Sequence, residues 1–174
     1  MNRQFNTICL TGKRDDDKVA EFLRLLASHL ATRDRKVLAD PSVAEAFGNV
    51  DVQVAEQPQL IRGADLMIAI GGDGTMLYAT RLVAVAGIPL LGINRGRLGF
   101  LADVGVDDML GTVDEILGGR YTQDERVMLE AEIQTADGPR VGTALNDVVL
   151  QKRDTGRMID FETWIDGTFV NTHG

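Results

Sequence analysis

Apolar and polar positions change their period twice along this chain. Thr7 to Leu10 is a short β-rich run that stops at Thr11-Gly12, and Val19, Phe22, Leu23, Leu26 and Leu30 then recur at helical spacing. Asp15-Asp16-Asp17 precedes that helix, where carboxylates favour the positive end of the dipole. Lys36 to Ala39 reads as a second strand. Asp40 to Leu60 is the least legible stretch: Asp-Pro-Ser-Val-Ala-Glu-Ala-Phe predicts a short helix and Gly48 a break. From Leu66 five apolar residues run without a charge into Gly71-Gly72-Asp73-Gly74-Thr75. Met76, Leu77, Thr80 and Val83 then open a spacing that predicts a helix over about 75–86. Pro89 to Ile93 is another buried strand, entering the loop Asn-Arg-Gly-Arg-Leu-Gly-Phe-Leu-Ala-Asp, and Asp107 to Leu117 reads as a helix ended by Gly118-Gly119.

After Tyr121 the pattern becomes β-alternating. Val127 to Thr135 and Thr143 to Lys152 read as strands, with a turn at Ala136-Asp137-Gly138. Two further strand runs flank Asp166-Gly167, a strong hairpin signal. Continuous apolar strands alternating with helices imply a parallel sheet covered on both faces. The expected class is therefore α/β: an open parallel (Rossmann-like) domain over residues 1–124, then the start of an all-β domain over residues 125–174. The last residues fall on what reads as an unpaired β element, so the β-rich part is expected to be truncated.

Composition narrows the functional classes. The 174 residues are 44% apolar and 25% charged, and 18 Lys plus Arg against 26 Asp plus Glu give a formal charge of −8. A negative balance argues against a general nucleic-acid or anionic-membrane binder, yet backbone amides and a few cations still bind phosphate locally. Cys9 is the sole cysteine, so no intramolecular disulfide is possible, and it reads as a small filler in its strand. Neither His29 nor His173 has metal-ligand company at a recognisable spacing, and no metal site is expected. No signal-peptide core precedes the first strand. Leu82 to Ile93 is cut by Gly87 and Pro89 and is too short to span a bilayer, so a cytoplasmic protein with no membrane partner is expected.

The chemistry concentrates in the glycine block. In an open α/β sheet, ligands sit beyond the carboxyl ends of the strands, where glycines admit close backbone approach and helix starts offer N–H groups to phosphate. The block is neither G-x-G-x-x-G nor the Walker motif, since no Lys-Ser/Thr follows. A carboxylate repels phosphates, so Asp73 suits a hydroxyl or a Mg²⁺ ion, as a kinase base does. The alternative is equally open from composition: Asp-Gly is a common turn pair, and on that reading Asp73 only caps the helix.

Gly71-Gly72-Asp73-Gly74-Thr75 resembles the signature of a kinase superfamily that includes NAD kinases, diacylglycerol and sphingosine kinases, and 6-phosphofructokinases. Two more segments choose among them. Gly92-Ile93-Asn94-Arg95-Gly96-Arg97-Leu98-Gly99-Phe100-Leu101 and Ala144-Leu145-Asn146-Asp147-Val148-Val149-Leu150 resemble, in order and spacing, segments of bacterial NAD kinases.

That resemblance implies transfer of the γ-phosphoryl of ATP, or of a polyphosphate phosphoryl, to the 2′-hydroxyl of the adenosine ribose of NAD, with Mg²⁺ as the accompanying cation. It makes Asp73 the proton acceptor and sets Gly74 against the dinucleotide. Gly71, Gly72 and Thr75 form the phosphate loop, Thr75 either contacting phosphate or capping the helix. Asn146 and Asp147 match the pair that hydrogen-bonds adenine and ribose; Asp147 stands where many bacterial members have Glu and reaches one methylene less. Phe100 lines the adenine side of the pocket. Arg157 matches a position that reaches the substrate from a neighbouring subunit in a dimer or tetramer. Arg95 and Arg97 either neutralise ATP phosphates or are solvated charges. A T-P-T-G-S-T-A-Y segment that completes the dinucleotide site in the family is not among these residues. The competing classes are a lipid kinase sharing the glycine block and a non-enzymatic nucleotide-binding module.

Overall fold

The computed structural model describes residues 4–96, 101–102, 104–151 and 159–173. Six parallel strands form one sheet: β1 (Thr7–Gly12), β2 (Lys36–Ala39), β3 (Gln53–Val54), β4 (Leu66–Gly71), β5 (Leu90–Asn94) and β6 (Val104–Gly105). Their order across the sheet is β3-β2-β1-β4-β5-β6. The chain first steps outward from β1 to β3, then returns to lay β4 on the other side of β1. The direction of winding therefore reverses between β1 and β4, and crevices for ligands form at such switch points.

Strand alternation explains the two-sided core. In β4, Leu66, Ile68 and Ile70 point to one face and Met67 and Ala69 to the other, all buried. The first face packs under α1 (Asp17–Ala31) and α4 (Met109–Leu117) through Leu23, Leu26, Leu30, Met109 and Val113. The second packs under α2 (Gln57–Gly63) and α3 (Asp73–Val83) through Leu60, Met76, Ala79 and Val83. Both faces are dry, which is why these strands read as continuous apolar runs rather than alternating ones. Cys9 lies in this core; burial, and then the negative charge of Asp40, push its thiol far up, so it is inert filler. An ion-paired cluster pins α1 to α4, with Arg33 Nη2 donating to Asp114 Oδ2 (2.6 Å) and His29 Nε2 lying 2.9 Å from Asp114 Oδ1.

Beyond Tyr121, whose ring lies 5.5 Å from that of Phe5, the strands are antiparallel. β7 (Leu129–Thr135) pairs with β8 (Gly138–Ala144), and β9 (Phe161–Ile165) with β10 (Thr168–His173). Asp166 and Gly167 both have left-handed φ, 49° and 75°, as a two-residue hairpin turn requires.

Several boundaries differ from the sequence pattern. Helix α3 begins at Asp73, two residues early, because Gly72 serves as its N-cap. Helix α4 begins at Met109, after a 3-10 turn over Val106–Asp108. The short helix expected after Asp40 is a 3-10 helix, Pro41–Phe47, and Gly48 ends it with φ 57°. β8 stops at Ala144, so the strand expected to run through Val148-Val149-Leu150 does not form among the described residues, and these side chains are exposed.

Candidate functional site

Register sets three loops side by side at the carboxyl end of the sheet. Gly12 pairs with Ile70 and Gly71 with Asn94, so the turns after β1, β4 and β5 leave the sheet in one row. The Lys13 amide donates to the Ile70 carbonyl at 3.1 Å and holds the first loop against the end of β4.

The glycines of the central loop differ in what they answer to. A Cβ on Gly71 would stand 2.3 Å from Thr75 Oγ1, so internal packing requires glycine there. Among the described residues, a Cβ on Gly72 or Gly74 would meet nothing within 4 Å, and neither residue has a positive φ. Neither packing against the described residues nor a positive φ accounts for glycine at these two positions. The Gly72 carbonyl accepts from the amides of Thr75 (2.9 Å) and Met76 (3.1 Å), closing the first turn of α3.

Asp73 is the first helical residue, half-buried, at the end of the helix where the dipole favours a carboxylate. It is not the N-cap. The Leu101 amide donates to Asp73 Oδ1 at 3.2 Å, which ties the acid to the segment that follows β5.

Two polar clusters flank this loop, and sequence reading found neither. Asp40, at the end of β2, is 2% exposed. It accepts from Thr11 Oγ1 (2.8 Å), the Ser42 amide (2.9 Å) and Tyr78 Oη (3.4 Å), joining β1, β2 and α3 just below the crevice. Burial, the largest influence, and the nearby Asp40 charge raise the Tyr78 hydroxyl, which therefore stays a donor. The Asp-Pro-Ser sequence, with an acid before a Pro at the start of a helical turn, was the available signal. Asp40→Ala is expected to cost about 2–3 kcal/mol, because the Thr11 hydroxyl and Ser42 amide lose a buried acceptor. Urea denaturation of the two chains measures it, and a difference below about 0.5 kcal/mol would show that the network is not a stabilising one.

The second cluster is Asp16 with Arg95 and Lys13. Arg95 Nη1 donates to Asp16 Oδ2, and Lys13 Nζ lies 3.7 Å from the same oxygen. Burial pushes the Asp16 carboxyl up, but the Val19 amide, the Arg95 guanidinium and Lys13 outweigh it and leave it below the ordinary range. Arg95 is thus ion-paired rather than simply solvated.

Asn146 and Asp147 lie exposed in the bend after β8. Their neighbour Leu145 lines a cleft of about 450 Å³ whose other walls include Met76 of α3, Gly92 of β5 and Leu101. So the segment bearing Asn146 borders the same cleft as the helix that Asp73 begins. A second, more polar cleft of about 650 Å³ lies between the loop Lys13–Asp17 and Ser42. Phe100, Arg97 and Arg157 lie outside the described residues. His29 is spent on Asp114, and the His173 ring lies 5.4 Å from that of Phe161.

The winding order and the crevice at the switch point define a Rossmann-like α/β domain with a carboxylate-bearing glycine loop where such domains hold ligands. The ATP-NAD kinase N-terminal domain family matches residues 10–121. Over 175 residues the chain is 44% identical to an NAD kinase of Aromatoleum aromaticum, covering 99% of this chain and 58% of that one. It is 44% identical over 172 residues to an NAD kinase of Thiobacillus denitrificans, covering 98% and 59%. The crystal structure of yeast NADH kinase complexed with NADH superposes with a TM-score of 0.87 at 22% identity, covering 98% of this chain and 55% of that one. The chain belongs to the NAD kinase family. It spans somewhat under three-fifths of the length of the curated relatives it matches.

Proposed function

We propose that this chain carries the phosphoryl-transfer half of an NAD kinase, which transfers the terminal phosphoryl group of ATP or of a polyphosphate to the 2′-hydroxyl of the adenosine ribose of NAD. The observation that carries this reading is the pair Gly72 and Gly74: both flank Asp73, and among the described residues neither meets a neighbour that would require glycine. Asp73 accepts the proton of the ribose hydroxyl, the hydroxyl oxygen bonds to phosphorus, and the bond from phosphorus to the leaving phosphate oxygen breaks. Gly71, Gly72 and Thr75 provide the phosphate loop, and Gly74 lies against the dinucleotide. Asn146 offers both a donor and an acceptor to adenine, and Asp147 accepts from the ribose diol. Phe100 and Arg157 complete the acceptor site, Arg157 from a second copy in a dimer or tetramer.

A divalent cation fits as part of the donor. Among the described residues no cluster of three or more His, Cys, Asp or Glu side chains is arranged around a cation, and Mg²⁺ is commonly held by one or two carboxylates plus substrate phosphates. The ion, when bound, would come with the donor's phosphates and neutralise charge on the transferring group. We assign residues 1–124 to the α/β domain and 125–174 to the first part of the dinucleotide-binding β domain, and place the protein in the cytoplasm. Among the described residues no helix is long and apolar enough to cross a membrane.

The test is a paired assay. A chain carried to the length of its relatives is given ATP and Mg²⁺ with either NAD or diacylglycerol. Formation of NADP alone is expected; phosphatidate instead would assign the glycine block to lipid phosphorylation.

A further inference from the structure

The Arg95–Asp16 pair has an unusual path. β4 lies between β1 and β5, and Lys13 and Arg95 directly follow the outer two strands. A contact drawn from the loop after β5 to the loop after β1 must arch over the end of β4, where Gly71-Gly72-Asp73 begins. Adjacent strands stand about 4.8 Å apart, so the strap spans about 10 Å. It crosses the loop on which a phosphate would rest.

The three side chains are unequally exposed. Asp16 shows 9% of its side chain to solvent, Arg95 38% and Lys13 57%. The acid is sunk and the outer sides of both cations face outward. The two oxygens of Asp16 also do separate jobs: Oδ2 holds the cations, and Oδ1 accepts the Val19 amide (3.3 Å) as the cap of α1. Asp16 can therefore lose Arg95 without uncapping the helix.

We propose that Arg95 and Lys13 receive the terminal phosphates of a linear triphosphate donor, and that Asp16 is an internal counter-ion which holds them over the glycine loop until the donor displaces it from Arg95. This rests on the reading of that loop as a phosphoryl-transfer site. A triphosphate carries several negative charges against one carboxylate, and the planar guanidinium suits two oxygens of a phosphate as well as it suits a carboxylate. The exchange replaces one anionic partner of Arg95 with another, so the guanidinium is not left unpaired. The strap also excludes monoanions, since one charge gains no more from Arg95 than Asp16 already gives. The shared chemistry is the phosphate chain, from either a nucleoside triphosphate or an inorganic polyphosphate.

The test is calorimetric titration of the 174-residue chain and its variants with sodium tripolyphosphate and, separately, with ATP, at low ionic strength. Asp16→Asn keeps an N-cap side chain and removes the competing charge; it is expected to tighten both ligands about two- to fivefold. Asp16→Ser, another good cap, must do the same and stands in if the Asn variant folds poorly. Arg95→Gln is expected to weaken both by a similar factor, and in the double variant the gain from Asp16→Asn should shrink. Unchanged or weaker binding by both Asp16 variants, with helix content retained, overturns the proposal. So does no binding by wild type and Asp16→Asn alike, and so does an effect confined to ATP. Failure of the kinase reading looks different: NADP is not formed by the extended chain while tripolyphosphate affinity still follows the Asp16 and Arg95 charges.

Discussion

Asp73→Asn, in a chain carried to the length of its relatives, is expected to lower the rate of NADP formation by about 10²–10⁴-fold while leaving NAD affinity nearly unchanged. The substitution removes the proton acceptor while keeping the size and one acceptor oxygen of the side chain. An amide oxygen still accepts from the Leu101 amide, so the tie to the segment after β5 survives. Gly72, not Asp73, is the N-cap of α3, so the cap is untouched. The attraction between a carboxylate and the helix start, about 0.3–1 kcal/mol, is lost from the folded state. A large fall in kcat with a small change in thermal stability is therefore the expected signature. Steady-state kinetics beside a melting curve measure both. A variant with near-normal kcat would leave Asp73 with a helix-start role only.

What the sequence disclosed follows from how local each signal is. β4 and the loop after it were legible because a strand buried on both faces must be apolar throughout, and five such residues before a glycine block have few other readings. The Asp166-Gly167 turn was legible because its two left-handed residues need that chemistry. β3 and β6 were not: two-residue strands carry no period. Helix α2 was missed because it buries one described large apolar side chain, Leu60, and starts on a Glu56–Gln59 capping box. The start of α3 was misplaced because glycine and aspartate disfavour a helix by propensity, while here the first turn is closed by the Gly72 carbonyl.

Long-range polar contacts were invisible for a different reason. Asp40 meets Thr11 across 29 residues, and Asp16 meets Arg95 across 79. Only the sheet order brings these pairs together, so Arg95 could be read from sequence as a phosphate ligand or a solvated charge, but not as the partner of an N-cap. The roles of Asn146 and Asp147 came from resemblance alone. Spacing wrongly carried their strand past Ala144, because an apolar run reads as a strand whether or not a neighbour offers a ladder.

Residues 1–174 alone are expected to fold in their α/β part, self-associate, and form no measurable NADP from NAD, ATP and Mg²⁺. The parallel sheet is closed on both faces by four helices and should hold without further chain. The hairpins are another matter. β7–β8 and β9–β10 are separate two-stranded sheets, and isolated hairpins are marginal in water. Ile133, Val141, Trp164, Ile165, Phe169 and Val170 are exposed on them, as are Val148 to Leu150 beside them. Unpaired strand edges with such side chains recruit other copies. The chain covers 58% and 59% of two NAD kinase relatives, and the glycine/threonine segment that the resemblance implies is not among residues 1–174. On the proposed reading, Asp73 and the Asn146-Asp147 bend would then face the dinucleotide from one side only. Transfer requires the ribose hydroxyl and the terminal phosphate to be held in line, and a site with half its contacts loses most of that positioning. Assaying residues 1–174 beside an extended chain, with sedimentation of both, decides the matter. Equal rates would mean that the α/β domain and the first hairpins already make a complete acceptor site, and that the exposed strands have some other use.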